Sequence, residues 1–190
     1  MRGLLAFALL GTLMGPQARA AEGVLPADVV AKLVRKVAPY ERGYEKRLAD
    51  GFVIAVVYSA PSDASRLEKD LLVGALELHM SAARVVTVSD ETLASENGID
   101  LMLLCEGVDL VATVDDAIRR GVLAIALRTN QVEDTHGVPM AFVARDAKPR
   151  ILVNRRAANR AGITIDARLL GLSELVDANV SVGDGGIGKK

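Results

Sequence analysis

Few residues of this chain belong to the types that most often do chemistry in proteins. The sequence contains two histidines, His79 and His136, and a single cysteine, Cys105. His136 follows Glu133 and Asp134, so this segment offers groups for metal ligation or for a hydrolase. A mixed His/carboxylate metal site needs three or four converging ligands, and a solvated loop is the simpler interpretation.

The other candidate groups favour structural roles. His79 falls late in an apolar helical pattern, which is typical of a packed or edge histidine. Cys105 ends the apolar run 101–104, which predicts a buried thiol; a reactive thiol and an intermolecular bridge are the alternatives. Glycines at 183–188 fit the dinucleotide fingerprint GxGxxG, but only two residues follow, too few for the required helix. We therefore predict no catalytic set, no cofactor and no metal site.

Composition and the first residues narrow the class of protein. The 190 residues are 51% hydrophobic, enough for one domain with a core, and the formal net charge of −1 argues against a nucleic-acid binder. Residues 1–20 combine Arg2, an apolar stretch at 4–14 and a small-residue site ending at Ala20, the pattern of a secretory signal peptide. No apolar run is long enough to span a bilayer, so we expect a periplasmic mature chain without a transmembrane segment.

The elements that must position these groups alternate along the chain. Apolar runs predict strands at 52–58, 85–88, 100–104 and 122–127. Helical spacing predicts helices at 26–37, partly at 40–50, from a Ser65/Glu68 capping box to about Met80, and at 110–120. Alternating strands and helices imply parallel strands joined by right-handed crossovers. The predicted fold is an α/β three-layer sandwich with a mixed, largely parallel sheet.

Residues 138–176 carry the most specific pattern. Apolar runs at 140–143 and 150–153, separated by a polar loop at 145–149, predict a C-terminal antiparallel hairpin. Asn154 is suited to cap a helix at 155–161, which Gly162 ends. Ile163 and Ile165 bracket an extended piece. A closing helix with a wide apolar face is predicted at 167–176.

This order resembles the C-terminal half of the YfiR-like family (DUF4154), which shows a hairpin, an Asn, an Ala-rich helix, an Ala-Gly turn and a closing helix. The matching residues are Phe142, Val153, Asn154, Ala157, Ala158, Ala161, Gly162, Ile163, Arg168, Leu169 and Leu170. An aromatic Trp-Pro signature that much of the family carries is missing at 37–42, so the chain resembles a divergent member.

The resemblance implies one YfiR-like domain at 21–178, between the signal peptide and a flexible tail at 179–190. It also implies a secreted, non-catalytic regulator that binds the periplasmic part of a membrane-bound signalling protein. By resemblance this partner is a diguanylate cyclase, which the regulator represses in cyclic di-GMP signalling, and a homodimer is also possible. The expected partner-binding residues are Asn154 and Arg168, which match polar family positions, and His136.

Structural roles compete for two of these residues. Asn154 is more simply explained as a helix cap, and Arg168 as the partner of Asp166 or Glu174 in a surface or helix-start ion pair. The sharper hypothesis places Arg168 in a partner or anion site, and a local basic face could also include Arg155, Arg156 and Arg160.

Two other functions stay open at the level of sequence. The first is a periplasmic small-molecule binding protein that serves a transporter or a sensor. The loop 129–138 follows the carboxyl end of a predicted parallel strand, where open α/β sheets bind ligands. The second is an enzyme, a hydrolase that would depend on His136.

Overall fold

A mixed β-sheet forms the middle layer of the domain. The computed structural model describes residues 23–40, 44–133 and 137–176. Within these ranges the strands are β1 Val53–Tyr58, β2 Arg84–Ser89, β3 Leu101–Leu104, β4 Leu123–Ala126, β5 Met140–Arg145, β6 Lys148–Val153 and β7 Glu174–Leu175. Their order in the sheet is β2-β1-β3-β4-β5-β6-β7. β1 to β5 are parallel, whereas β6 is antiparallel to β5 and parallel to β7.

Helices cover both faces of this sheet. They are α1 Ala27–Val37, α2 Tyr44–Asp50, α3 Asp63–His79, α4 Leu110–Arg120, α5 Thr129–Glu133, α6 Arg155–Arg160 and α7 Ala167–Leu170, with 3-10 turns at Ala38–Tyr40 and Leu93–Ser95. The chain moves in opposite directions from β1 to β2 and from β3 to β4, so right-handed crossovers place α3 and α4 on opposite faces. α1 packs on α3. The predicted three-layer α/β sandwich is confirmed.

The core lies on both sides of the central strands. Val53 to Val57 of β1 are buried, as are all four residues of β3 and of β4. These are the continuous apolar runs of the sequence, and a strand of this kind is stable only when both of its faces are covered. Full burial of each Val, Leu or Ile side chain stabilises the fold by about 1.5–3 kcal/mol.

The hairpin of β5 and β6 is confirmed, with a tighter loop than predicted. The two strands are paired from Met140↔Val153 to Arg145↔Lys148, so only Asp146 and Ala147 form the loop. Their φ angles are 51° and 56°. Positive φ at both central residues defines a type I′ turn, whose twist matches that of the adjoining strands.

The closing helix predicted at 167–176 is wrong in its second half. α7 ends at Leu170, Gly171 caps it, and Glu174–Leu175 forms β7 on the far side of β6. Gly171 is a poor helix former, and the open edge of β6 offers backbone groups that need partners. Val176 N–H donates to Val153 C=O at 2.9 Å, so pairing with the sheet replaces two turns of helix.

The predicted Ser65/Glu68 capping box is also wrong. α3 begins three residues earlier, and Ser62 is its N-cap, accepting from Ser65 N–H at 3.2 Å. The buried Ser65 hydroxyl instead accepts from Ser59 N–H at 2.9 Å and ties the end of β1 to the first turn of α3. The Glu68 side chain therefore does not cap α3 and is available for contacts with other parts of the chain.

Asn154 joins the hairpin to α6, and its predicted role as a helix cap is confirmed. Its side chain is 1% exposed. The carbonyl oxygen accepts from Ala157 N–H at 2.9 Å, and the amide nitrogen donates to Val132 C=O in α5 at 2.9 Å. One buried amide therefore connects β6, α6 and α5.

Replacement of Asn154 by Ala should lower the free energy of unfolding by about 2 kcal/mol, because it removes a cap and leaves the buried Val132 carbonyl without its donor. Equilibrium urea unfolding measures this change. The matched control is Asn159→Ala on the exposed side of α6, which should change stability by less than about 0.5 kcal/mol. Equal effects of the two substitutions would contradict the bridging role.

Candidate functional site

The carboxyl ends of β1 and β3 meet at the point where the sheet order reverses. From β1 the chain crosses to β2, and from β3 it crosses to β4 on the other side. The loops that follow these two strands lie in contact: an added Cβ at Gly107 would lie 3.7 Å from the Cβ atoms of Ser59 and Ser62. In open α/β sheets, ligands bind in the crevice at such a switch point.

A cleft of about 270 Å³ opens beside this point. It lies between the segment that leads into α1, the first turns of α3 and the residues that directly follow β3 and β4. Its walls are mostly apolar and include Val24, Leu25, Leu67, Leu71, Leu72 and Leu127. Leu67 and Leu71 are 62% and 59% exposed, so the wall formed by α3 continues outward onto the surface.

Three charged side chains line the same cleft. Arg128 donates to both carboxylate oxygens of Glu68 at 3.2 Å and to Glu106 at 2.9 Å. Glu68 also accepts from the backbone N–H of Glu106 at 2.7 Å. The side chains of Glu68 and Arg128 are only 14% and 21% exposed. This triad was missed from the sequence, because its members lie 60 and 22 residues apart and carry no local pattern.

One cation between two carboxylates gives the cleft a net negative charge beneath an apolar opening. Such an arrangement can hold an amphipathic group, with an apolar body against the leucines and a polar or cationic end at the triad. Since Arg128 already satisfies Glu68 and Glu106, the triad orders the loops after β3 and β4 around the cleft.

Cys105 lies at the end of β3, close to this cleft, and is fully buried. Burial, together with the negative charge of Glu68, raises the pKa of its thiol to about 12. A thiol of this kind remains protonated at physiological pH, whereas nucleophilic attack and disulfide exchange require the thiolate. The predicted buried thiol is confirmed.

His79 ends α3 and packs at the edge of the helical layer, as predicted. Its Nε2 lies 2.5 Å from Asp28 Oδ1, and its side chain is 18% exposed. Lys32 also binds Asp28, at 2.6 Å. Hydrogen bonds from Lys32 and then from His79 hold the pKa of Asp28 below its usual range. These contacts connect α1 to α3.

The three residues predicted to bind a partner are not brought together in the described part of the chain. Asn154 is buried beneath α5 and α6. Arg168 lies on α7, where its side chain is 75% exposed, donates to Asp166 at 3.0 Å and stands 5.2 Å from the centre of the Tyr40 ring. These hydrogen bonds lower the pKa of Asp166. His136 lies outside the described residues. Partner binding by these residues stays a prediction.

The predicted basic face is only partly assembled. Arg155, Arg156 and Arg160 line an open groove of about 500 Å³ with Asn159. Arg168 is held by Asp166 on α7, as one of the two predicted ion pairs requires. The other candidate acid, Glu174, binds Arg145 and Arg150 instead, at 3.2 and 3.3 Å.

The stretch 129–138, predicted to be a loop, begins with a helix. α5 occupies Thr129–Glu133, and Gln131 and Val132 are buried against the sheet. Residues 134–136 lie outside the described ranges. The beginning of the stretch nevertheless borders a second opening of about 230 Å³ with Gly23, Val24 and Arg128, next to the cleft. The residues after β4 therefore border both openings, Arg128 on both and Thr129 and Asn130 on the second. Ligand binding by the stretch 129–138 stays a prediction.

Two classes of site were sought in the described residues. Among them, no group of three or more His, Cys, Asp and Glu side chains has the arrangement needed to hold a metal ion. Over the same ranges, no helix combines the length and the apolar character that crossing a membrane requires.

Comparison with known proteins identifies both a family and a fold. The model of a family described as YfiR/HmsC-like (DUF4154) matches residues 27–174. Among functionally curated proteins, none matches significantly.

Several solved structures have a fold similar to that of this chain. A conserved domain protein from Vibrio cholerae has a TM-score of 0.59, and 80% of this chain aligns with 60% of that protein. An ABC domain from Streptococcus pneumoniae in complex with L-Trp has a TM-score of 0.58 over 80% of this chain and 62% of its own. A ligand-free, open substrate-binding protein from Clostridium difficile scores 0.57 over 82% and 61%. Each is 15% identical to this chain, which spans about three-fifths of their lengths.

The native protein should be nearly inert to the thiol reagent DTNB at pH 8, because a thiol with a pKa of about 12 is thiolate in only about one molecule in 10⁴ and is also buried. After denaturation in urea, one thiol per chain should react at the rate of a free cysteine. A Cys105→Ala, Ser81→Cys variant, with its thiol on an exposed residue, is the matched control and should react at once. Rapid reaction of native Cys105 would contradict the assigned burial.

Proposed function

Because the chain belongs to the YfiR/HmsC-like family, we propose that it is a secreted, non-catalytic regulator that binds the periplasmic part of a membrane signalling protein. The family match over residues 27–174 carries the proposal. By family resemblance the partner is a diguanylate cyclase, and the regulator holds it in its inactive state. The signal-peptide pattern at 1–20 supports export.

A regulator of this kind acts by differential affinity. It must bind the inactive state of its partner more tightly than the active state, since equal affinity shifts no equilibrium. Moving a two-state partner from 1:99 to 99:1 needs about a 10⁴-fold difference, or about 5.5 kcal/mol. A contact surface with apolar anchors can supply that difference, and Leu67 and Leu71 at the mouth of the cleft are exposed residues of this type.

The placement of the reactive groups favours binding over the hydrolase alternative. Cys105 is buried with a raised pKa, and His79 binds Asp28 between two helices. Both side chains thus have structural roles. The hydrolase hypothesis depended on His136, which lies outside the described residues.

Deletion of the gene should raise cyclic di-GMP in the cells that carry it, because an exported repressor of a cyclase would be lost. A plasmid copy of the full chain should restore the original level, and a matched copy without residues 2–20 should not, since it would stay in the cytoplasm. Mass-spectrometric measurement of the nucleotide in cell extracts reads the result. An unchanged level on deletion would refute repression of a cyclase, and a cytoplasmic native protein would refute the export hypothesis.

A second candidate function rests on the cleft itself. We infer that a small amphipathic molecule could occupy the 270 Å³ between the leucines and the triad, either as the transported or sensed ligand or as an effector of the regulator. A ligand at 100 times its Kd should stabilise the native state by about 2.7 kcal/mol. Thermal unfolding with a panel of free amino acids, including L-Trp, tests this. A shift that persists in Arg128→Met and Leu71→Ala variants would place the ligand elsewhere.

A further inference from the structure

The outward face of α3 carries a row of exposed leucines. Leu67, Leu71 and Leu78 are 62%, 59% and 75% exposed, and they are three of the seven large hydrophobic residues that are exposed among the described residues. Gly74 lies between them. The spacings of four, three and four residues place all four positions on one side of the helix over a length of about 16 Å. We call Leu67, Leu71, Gly74 and Leu78 the leucine row.

The fold itself does not need this row. α3 packs on the sheet and on α1 through its opposite side, where Leu72 and Leu76 are fully buried. Three leucines in contact with water contribute little to folding, and contiguous exposed apolar surface commonly marks a binding surface. The lower part of the row, Leu67 and Leu71, continues directly into the cleft at the carboxyl edge of the sheet.

Gly74 also supports a binding role for the leucine row. A glycine in the middle of a helix destabilises it relative to alanine, and here a Cβ would meet no atom within 4 Å. Nothing within the described chain therefore requires glycine at this position. A glycine at the centre of an exposed apolar row allows another backbone to approach closely, which would explain its presence.

An acidic row follows the leucine row along one flank. Asp63, Asp70 and Glu77 are spaced seven residues apart, so they lie on one side of α3 next to the leucines. Asp63 binds Arg66, and Asp70 lies 2.8 Å from Lys69. The carboxylates in these two pairs are 91% and 69% exposed. Exposed pairs of this kind are weak, so cations of a partner can compete for the carboxylates.

We propose that this face of α3 is the docking surface for a basic amphipathic helix of the signalling partner, a proposal that rests on the proposed function. The alternating spacing of four and three residues is the one that accepts the side chains of a facing helix. Apolar residues of that helix would fill the spaces around Gly74, and its Lys or Arg residues would meet Asp63, Asp70 and Glu77.

Charge argues against a second copy of the chain as the occupant. In an antiparallel two-fold pair of α3 helices, the acidic rows would lie opposite each other and repel. In a parallel pair they would lie opposite the other flank, where Ala64 and Ala75 offer no positive charge. A basic partner complements the surface better than a second copy does.

Two synthetic helical peptides test the surface directly. Both carry leucines at heptad spacing; one has lysines and the other glutamates at the flanking positions. Fluorescence anisotropy with the purified protein should show binding of the lysine peptide at least tenfold tighter than of the glutamate peptide. Leu78→Glu, which lies outside the cleft, should weaken lysine-peptide binding at least tenfold. Val111→Glu on α4, where Val111 is 54% exposed, is the matched control and should leave it unchanged.

Two further variants separate docking from stability. Gly74→Ala should raise the melting temperature, because alanine is the better helix former, yet it should weaken lysine-peptide binding by obstructing close approach. A double change, Asp70→Lys with Glu77→Lys, should reverse the preference toward the glutamate peptide. Asp115→Lys on the exposed side of α4 is its control. Equal binding of the two peptides, or full binding by Leu78→Glu, would overturn the proposal.

The same variants in cells distinguish this inference from the proposed function. If deletion raises cyclic di-GMP, a Val111→Glu copy should restore the level and a Leu78→Glu copy, present in equal amount, should not. Full restoration by Leu78→Glu would overturn the docking surface while leaving the regulator intact. A homodimer that Leu78→Glu dissociates, without any preference between the peptides, would assign the surface to a second copy and also overturn the proposal.

Discussion

Burial of β1, β3 and β4 on both faces is the constraint on which the rest of this structure depends. Their side chains are almost all inaccessible to water, so each face of the sheet must be covered by a helical layer. α3 covers one side of β1 and α1 packs on α3, and the crossover through α4 lies on the other side of the sheet. A short polar contact at the end of β1, from Ser59 N–H to the Ser65 hydroxyl, then ties that strand to the first turn of α3.

This arrangement determines which chemistry the carboxyl edge can offer. The strand order reverses between β1 and β3, which opens a crevice there, and Arg128 at the end of β4 reaches across to Glu68 and Glu106. Arg128 forms ion pairs with both carboxylates. Cys105 is buried nearby, and the pKa of its thiol is raised to about 12. The edge thus combines an apolar opening with ordered polar groups, which suits the recognition of a ligand or a protein segment.

The similarity between this chain and the solved structures is one of fold only. At 15% identity, the structures from Streptococcus pneumoniae and Clostridium difficile share the sheet and its helices with this chain, which spans about three-fifths of their lengths. One fold supports many functions, because function resides in the side chains placed on it. In this protein the family match argues for a regulator. The exposed leucine row beside the acidic row supports the same conclusion, because a protein that only binds a small molecule in a pocket does not need such a surface.

The sequence by itself determined the fold class, the order of the central strands along the chain and the family, because apolar runs, helical spacing and the 138–176 pattern are local signals. Asn154 as a cap and Cys105 as a buried thiol were predicted for the same reason. Only the tertiary structure decided that residues 174–175 form a strand, since the open edge of β6 outweighs the helical pattern there. It also decided that Glu68 binds Arg128 across 60 residues, and that the leucines of α3 divide into a buried and an exposed set. Both outcomes depend on which elements become neighbours in space, and spacing along one helix does not contain that information.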